Sequence, residues 1–177
     1  MKPIHAISAV CILLTSVSCD SKKEAAAIDR GTPPAAQSDA VRQVLAAKPS
    51  GEVVAIPTAR ATVKPGDVVT LKGQIMGNRA PFVEGRSAFI LGDTGTLTAC
   101  TEECGSPWDN CCDTPEAKKA GTALVQIVDA SGQVLKESLE GQGGLEKLAH
   151  VTVTGKVAEG SSPELLLVNA TAISTGK

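Results

Sequence analysis

The 177-residue sequence contains no tyrosine, one tryptophan (Trp108) and two phenylalanines (Phe82 and Phe89), an aromatic content of 2%. A core with so few rings has to be packed from Val, Ile, Leu and Ala, and the stacking platforms that hold single-stranded nucleic acid are missing. Basic residues are not in excess: 17 Lys and Arg stand against 19 Asp and Glu, a formal net charge of -2. Neither nucleic acid nor an anionic membrane surface is therefore expected as a partner of the domain. Histidine is scarce too, with only His5 and His150. No Ser-His-Asp set can be assembled from these, and no Ser lies in a nucleophile elbow. No glycine-rich loop opens a helix, because residues 141–144 fall between strand-like segments and read as a turn. The paired acids Glu102 and Glu103 lie in a polar loop and read as solvated. No enzymatic activity is expected.

Hydrophobic residues make up 42% of the chain and charged residues 20%, enough for a folded core. The length points to one domain or at most two small ones. The remaining anomaly is cysteine: six in all, four of them in residues 100–112.

Residues 1–19 read MKPIHAISAVCILLTSVSC. Lys2 supplies a positive start, residues 4–14 are apolar, and Ser16, Val17 and Ser18 precede Cys19. The apolar stretch has signal-peptide length and is short for a permanent bilayer span. This segment resembles a bacterial lipoprotein signal, which implies cleavage before Cys19 and lipidation of its thiol. An ordinary secretory signal and an uncleaved anchor are the other readings. Lipid chains contribute about 0.8 kcal/mol per buried methylene, so two or three of them give a lasting tether. The expected location is the cell envelope, lipid-anchored and facing the periplasm or the extracytoplasmic side. Asp20 resembles an inner-membrane retention signal of some bacteria, but the rule varies and selects no membrane. Removing residues 1–18 leaves 159 (177 minus 18) and takes away Lys2, His5 and Cys11. The mature charge becomes -3 (16 minus 19), and Cys100, Cys104, Cys111 and Cys112 remain beside Cys19.

Three segments follow: a signal over residues 1–18, a lipidated N-terminus and flexible linker over 19–50, and a β domain over 51–177. The linker is rich in Ala, Ser, Lys, Asp and Pro, as a spacer should be. Within it, residues 38–47 predict a short helix with Ser38 as N-cap and Val41, Val44 and Leu45 on one side. From Glu52 onward the pattern turns to period two. Strands are predicted over residues 68–76, with Val69, Leu71, Gly73 and Ile75 on one face, then over 87–91 and 123–128. A turn at 129–132, a single helical turn at 145–148, and strands over 150–157 and 165–173 complete the series. Residues 114–120 predict a short helix capped by Thr114, with Pro115 in its first position.

Five strands with one helical element before the fourth match the order of an OB-fold barrel. Val69–Ile75 and Val151–Val157 both carry a mid-strand glycine, which lets a strand bend or bulge in a small barrel. On the elements V-x-L-x-G-x-I, F-x-L-x-D (Phe89 to Asp93) and V-x-V-x-G-x-V, the stretch from Glu52 to Ile173 resembles the periplasmic bacterial OB-fold proteins. The cysteine-rich insertion between strands two and three more closely resembles a group of bacterial lipoproteins with a PWD-x-CC element, a group that brings no activity with it. The expected fold is all-β, a five-stranded OB-fold-like barrel with a cysteine-rich loop between strands two and three.

Cys100, Cys104, Cys111 and Cys112 form C-x3-C-x6-C-C. They allow two disulfides, one metal site or thiol redox exchange. An oxidising compartment favours two non-vicinal disulfides, each contributing about 2–4 kcal/mol and less for so short a loop. Zinc or Cu(I) ranks second, since four thiolates suit both ions, although adjacent cysteines tend to diverge. Redox work ranks third, because no C-x-x-C stands at a helix start. Trp108 either anchors a partner or covers the disulfides or caps the barrel end, and Asp109 is a turn residue or cap. Phe82 and Arg86, in the loop over residues 81–86, are the other binding candidates. The expected function is a non-enzymatic envelope module that binds a protein or small ligand through its loops, without a cofactor. The alternative is a metal-binding or thiol-redox protein centred on the four cysteines.

Overall fold

A computed structural model describes residues 37–100 and 104–176. The segment expected to be a signal, the expected lipidation site Cys19 and residues 20–36 of the expected linker lie outside the described residues. Two helices and a short strand precede the barrel: α1 (Asp39–Ala46), β1 (Val53–Val54) and α2 (Ile56–Thr62). The barrel strands are β2 (Val68–Ile75), β3 (Ala88–Gly92), β4 (Thr122–Gln126), β5 (His150–Val157) and β6 (Leu167–Thr175), with helix α3 (Pro115–Gly121) leading into β4. Among the described residues no helix is long and apolar enough to cross a membrane.

Pairing runs β2-β3-β4-β6-β5 and closes through β2–β5, so five strands make a ring and β1 is an addition. Counted from β2, the ring is first, second, third, fifth, fourth and back to first, the OB-fold-like barrel that the sequence predicts. All ring pairs are antiparallel except β4–β6. Period-two alternation is what makes these segments strands: Val151, Val153, Gly155 and Val157 of β5 point into the core, while Lys156 is exposed. Gly155 stands at the register shift between Thr154 and its neighbour, where a Cβ would meet the Asn169 carbonyl at 2.5 Å. Gly73 is held as closely, with a Cβ position 2.2 Å from the Gly92 carbonyl oxygen. The core is aliphatic, and its two rings, Phe82 and Phe89, pack with tilted planes (51°) at 6.1 Å between centroids.

The structure departs from the sequence reading in several elements. Residues 52–65 do not alternate as one strand. Val53 and Val54 pair in parallel with Thr70 and Leu71, and helix α2 follows. The α2 N-cap residue, Ala55, makes no side-chain cap bond, so its sequence carries no start signal. The missing acceptor comes from Asp93, at the end of β3, whose Oδ2 takes the Ile56 N–H at 3.1 Å. Helix α1 forms where expected and its Ser38 hydroxyl accepts the Val41 N–H, but the helix does not stand off the barrel. Val41 is fully buried in the core, and Thr70 is buried because it joins Thr154 and the Ser50 carbonyl in a small polar cluster. The helical turn before β5 lies at Gln142–Gly144 rather than at 145–148, because Leu145 goes into the core and the chain has to turn ahead of it.

The β2–β3 ladder has only two residue pairs, Gln74 with Gly92 and Ile75 with Leu91, before residues 76–81 leave it. Pairing resumes at the Phe82–Phe89 bridge.

Candidate metal centre

The cysteine loop runs from the end of β3 to α3. Asp93 fixes its start: its backbone carbonyl accepts the N–H groups of Thr96 and Leu97, its Oδ1 accepts the Gly95 N–H at 2.9 Å, and Leu97 is buried as an anchor. The loop's return arm is set by a 3-10 turn, Pro107–Asp109, followed by Asn110 in the left-handed region at φ 53. Only a few non-glycine types adopt that conformation readily, Asn foremost. The reversal brings the arm carrying Cys111 and Cys112 back beside the arm carrying Cys100.

A side-chain clip holds the two arms together. Asn110 is fully buried, and its Nδ2 donates to the Thr98 carbonyl at 2.7 Å and to Asp113 Oδ2 at 3.1 Å. The same carboxylate oxygen accepts the Thr98 N–H at 3.3 Å. The Cys100 N–H donates to the Pro107 carbonyl at 2.9 Å. On the far side, Thr114 caps α3 as expected, and Lys118 Nζ donates to the Asp109 carbonyl at 3.1 Å.

This frame brings the sulfurs together without pairing them. Cys111 Sγ stands 3.7 Å from Cys100 Sγ and 3.7 Å from Cys104 Sγ. The three lie within 4.8 Å of one another, and Cys112 Sγ, outside that triangle, is 4.0 Å from Cys111. A disulfide needs about 2.05 Å, so no two described cysteines are bonded and all four are free thiols here. Of the expected disulfides none stands at bonding distance: Cys111 sits equally far from two sulfurs, and the loop converges on a common centre.

The crowding shows in the protonation of the cluster. Cys111 hydrogen-bonds to Cys104 first, and also to Cys100 and Cys112, and its pKa is pushed up to about 12. Cys100 moves the other way, chiefly because the Cys112 backbone N–H hydrogen-bonds to its sulfur. One sulfur of the cluster thus ionises early while its neighbour retains a proton.

The other predicted site residues fall as follows. Trp108 is half-buried; its indole N–H donates to the Arg79 carbonyl at 3.0 Å, its own carbonyl accepts the Gly77 N–H at 2.8 Å, and Lys147 Nζ lies 4.9 Å from its ring centroid. Asp109 is a turn residue, its N–H donating to the Ser106 carbonyl. Phe82 is 8% exposed and belongs to the core, so it is not a loop contact. Arg86 is exposed in a turn closed by its own N–H on the Val83 carbonyl. The sulfur cluster takes in neither of the last two. His150 is exposed at the start of β5, with its Nε2 at 3.1 Å from Gln74 Nε2. Asn110 and Asp113, which frame the cluster, carry a signal in sequence only as Asx residues flanking a cysteine pair.

Comparison with known families, with curated proteins and with solved structures finds no match to this chain.

Proposed function

We propose that this chain is a non-catalytic binding module that holds one thiophilic metal ion, zinc or Cu(I), in the cysteine loop of its barrel. The observation that carries the reading is the sulfur spacing. A metal–sulfur bond of about 2.3 Å gives a tetrahedral edge of about 3.8 Å, and two sulfur pairs stand at 3.7 Å. The donor set is all sulfur, which suits soft ions and not magnesium or calcium. The geometry therefore favours the chemistry that the sequence ranks behind disulfides. Residues 1–19 support export and a lipid tether at Cys19, which makes the module one of the cell envelope, meeting the ion and any protein partner through an exposed loop.

The test uses the full chain, reduced and purified without oxygen, with Zn(II) as the probe in native mass spectrometry. One zinc per chain is expected, with protons released on binding, and the ion is lost in Cys104→Ser and Cys111→Ser. A reduced chain that takes up neither zinc nor Cu(I) would overturn the reading, and so would a chain isolated from its host with two intact disulfides. The tether has its own check: Cys19→Ser should move the chain from the membrane fraction to the soluble one.

A further inference from the structure

Four observations bear on which ion the cluster takes and for how long. The core cluster of buried residues contains none of the four cysteines, so the barrel core is packed without the sulfurs. Cys111 and Cys112 are exposed, and Cys100 and Cys104 half-buried, so an incoming ligand can reach the sulfurs. Three sulfurs form the triangle and the fourth stands beside it, 4.0 Å from Cys111. The arms that carry Cys100 and Cys111 are joined by the Asn110–Thr98–Asp113 clip, so protein hydrogen bonds position two of the three sulfurs.

Resting on the metal-binding reading, we propose that the ion is Cu(I), held as exchangeable cargo by Cys100, Cys104 and Cys111, with Cys112 as the exchange ligand. Thiolate sulfur is the donor Cu(I) prefers, and three such donors complete its coordination, whereas structural zinc takes four. A structural ion is enclosed and holds its fold together; this cluster is open and its fold has a separate core. In the exchange step Cys112 gives its proton to water and its thiolate bonds to copper, while one triangle sulfur leaves with its electron pair as a thiolate and takes up a proton from water. The oxidation state stays at one throughout. The loosened sulfur then leaves room for an acceptor that brings thiolates or another soft donor.

The experiment titrates the reduced full chain with Cu(I) under nitrogen, reads copper–sulfur coordination by X-ray absorption, and follows copper removal by the chelator bathocuproine disulfonate. One copper with three sulfur neighbours is expected. Cys104→Ser should weaken binding by about a hundredfold or more. Cys112→Ser should leave affinity within about threefold yet slow removal roughly tenfold. Four sulfur neighbours, with Cys112→Ser as weak as Cys104→Ser, would overturn the cargo reading and leave the metal module standing. Cu(I) binding that Cys112→Ser neither weakens nor slows would overturn the exchange role. Failure to bind either Cu(I) or Zn(II) would overturn the metal module itself.

Discussion

Cys100 and Cys111 are separated by 3.7 Å and titrate in opposite directions. An alkylating reagent reacts with the thiolate and not the thiol, so the metal-free cluster should label in a fixed order. Iodoacetamide at rising pH should modify Cys100 below the range of an ordinary thiol. Cys111 should stay unmodified until the solution approaches its pKa of about 12. Peptide mapping after a short pulse reads this directly, and equal labelling of the two at neutral pH would contradict the geometry. The same order gives metal binding its pH dependence. The ion must displace the proton of Cys111, so affinity rises with pH through the neutral range and falls on acidification. Asn110 belongs to the same scale. Asn110→Gly retains a residue able to adopt φ 53 but removes the bond to the Thr98 carbonyl. It should lower metal affinity by roughly tenfold without unfolding the barrel, as a titration beside a circular dichroism melt would show.

Among the elements, α1 and α2 show best what sequence reading reaches. Helix α1 carries its start signal with it: Ser38 caps its own helix, and the apolar side is spaced for one face. What the sequence cannot supply is where that face goes, and it goes into the barrel, with Val41 fully buried. Helix α2 is the opposite case. Its cap is supplied by Asp93, 37 residues away, and a long-range cap leaves no local trace. The barrel strands were legible because alternation is local, down to the glycine at the β5 bulge. The cysteines were legible as a cluster, but their pairing was not, since that depends on how Asn110 turns the chain. For α1 the expected outcome is concrete. Ser38→Ala should cost about 1 kcal/mol and Val41→Ala about 2–3 kcal/mol, measured by denaturant unfolding. A Val41→Ala chain as stable as the parent would show that α1 is only loosely seated.

For the molecule as a whole, the separation between core and cysteine loop predicts what metal removal does. A chain with Cys100, Cys104, Cys111 and Cys112 all changed to Ser should melt as one cooperative unit, within about 1–2 kcal/mol of the reduced parent, since surface substitutions away from the core are usually mild. Small metal-built domains instead unfold when the ion is withdrawn. Loss of the cooperative transition in the four-serine chain would place the loop inside the folding unit.

The interruption at residues 76–81 links that loop to the barrel after all. Where β2 and β3 stop pairing, the broken segment is held through Trp108, which accepts from Gly77 and donates to Arg79. The cysteine loop therefore serves as a stitch across this interruption of the β2–β3 ladder. An ion that stiffens the loop should quieten the breathing of that wall, and the amides near Gly77 should exchange with solvent more slowly once metal is bound. Occupancy would then be legible on the barrel itself: a partner that docks over this gap would meet a firmer surface on the loaded protein than on the empty one.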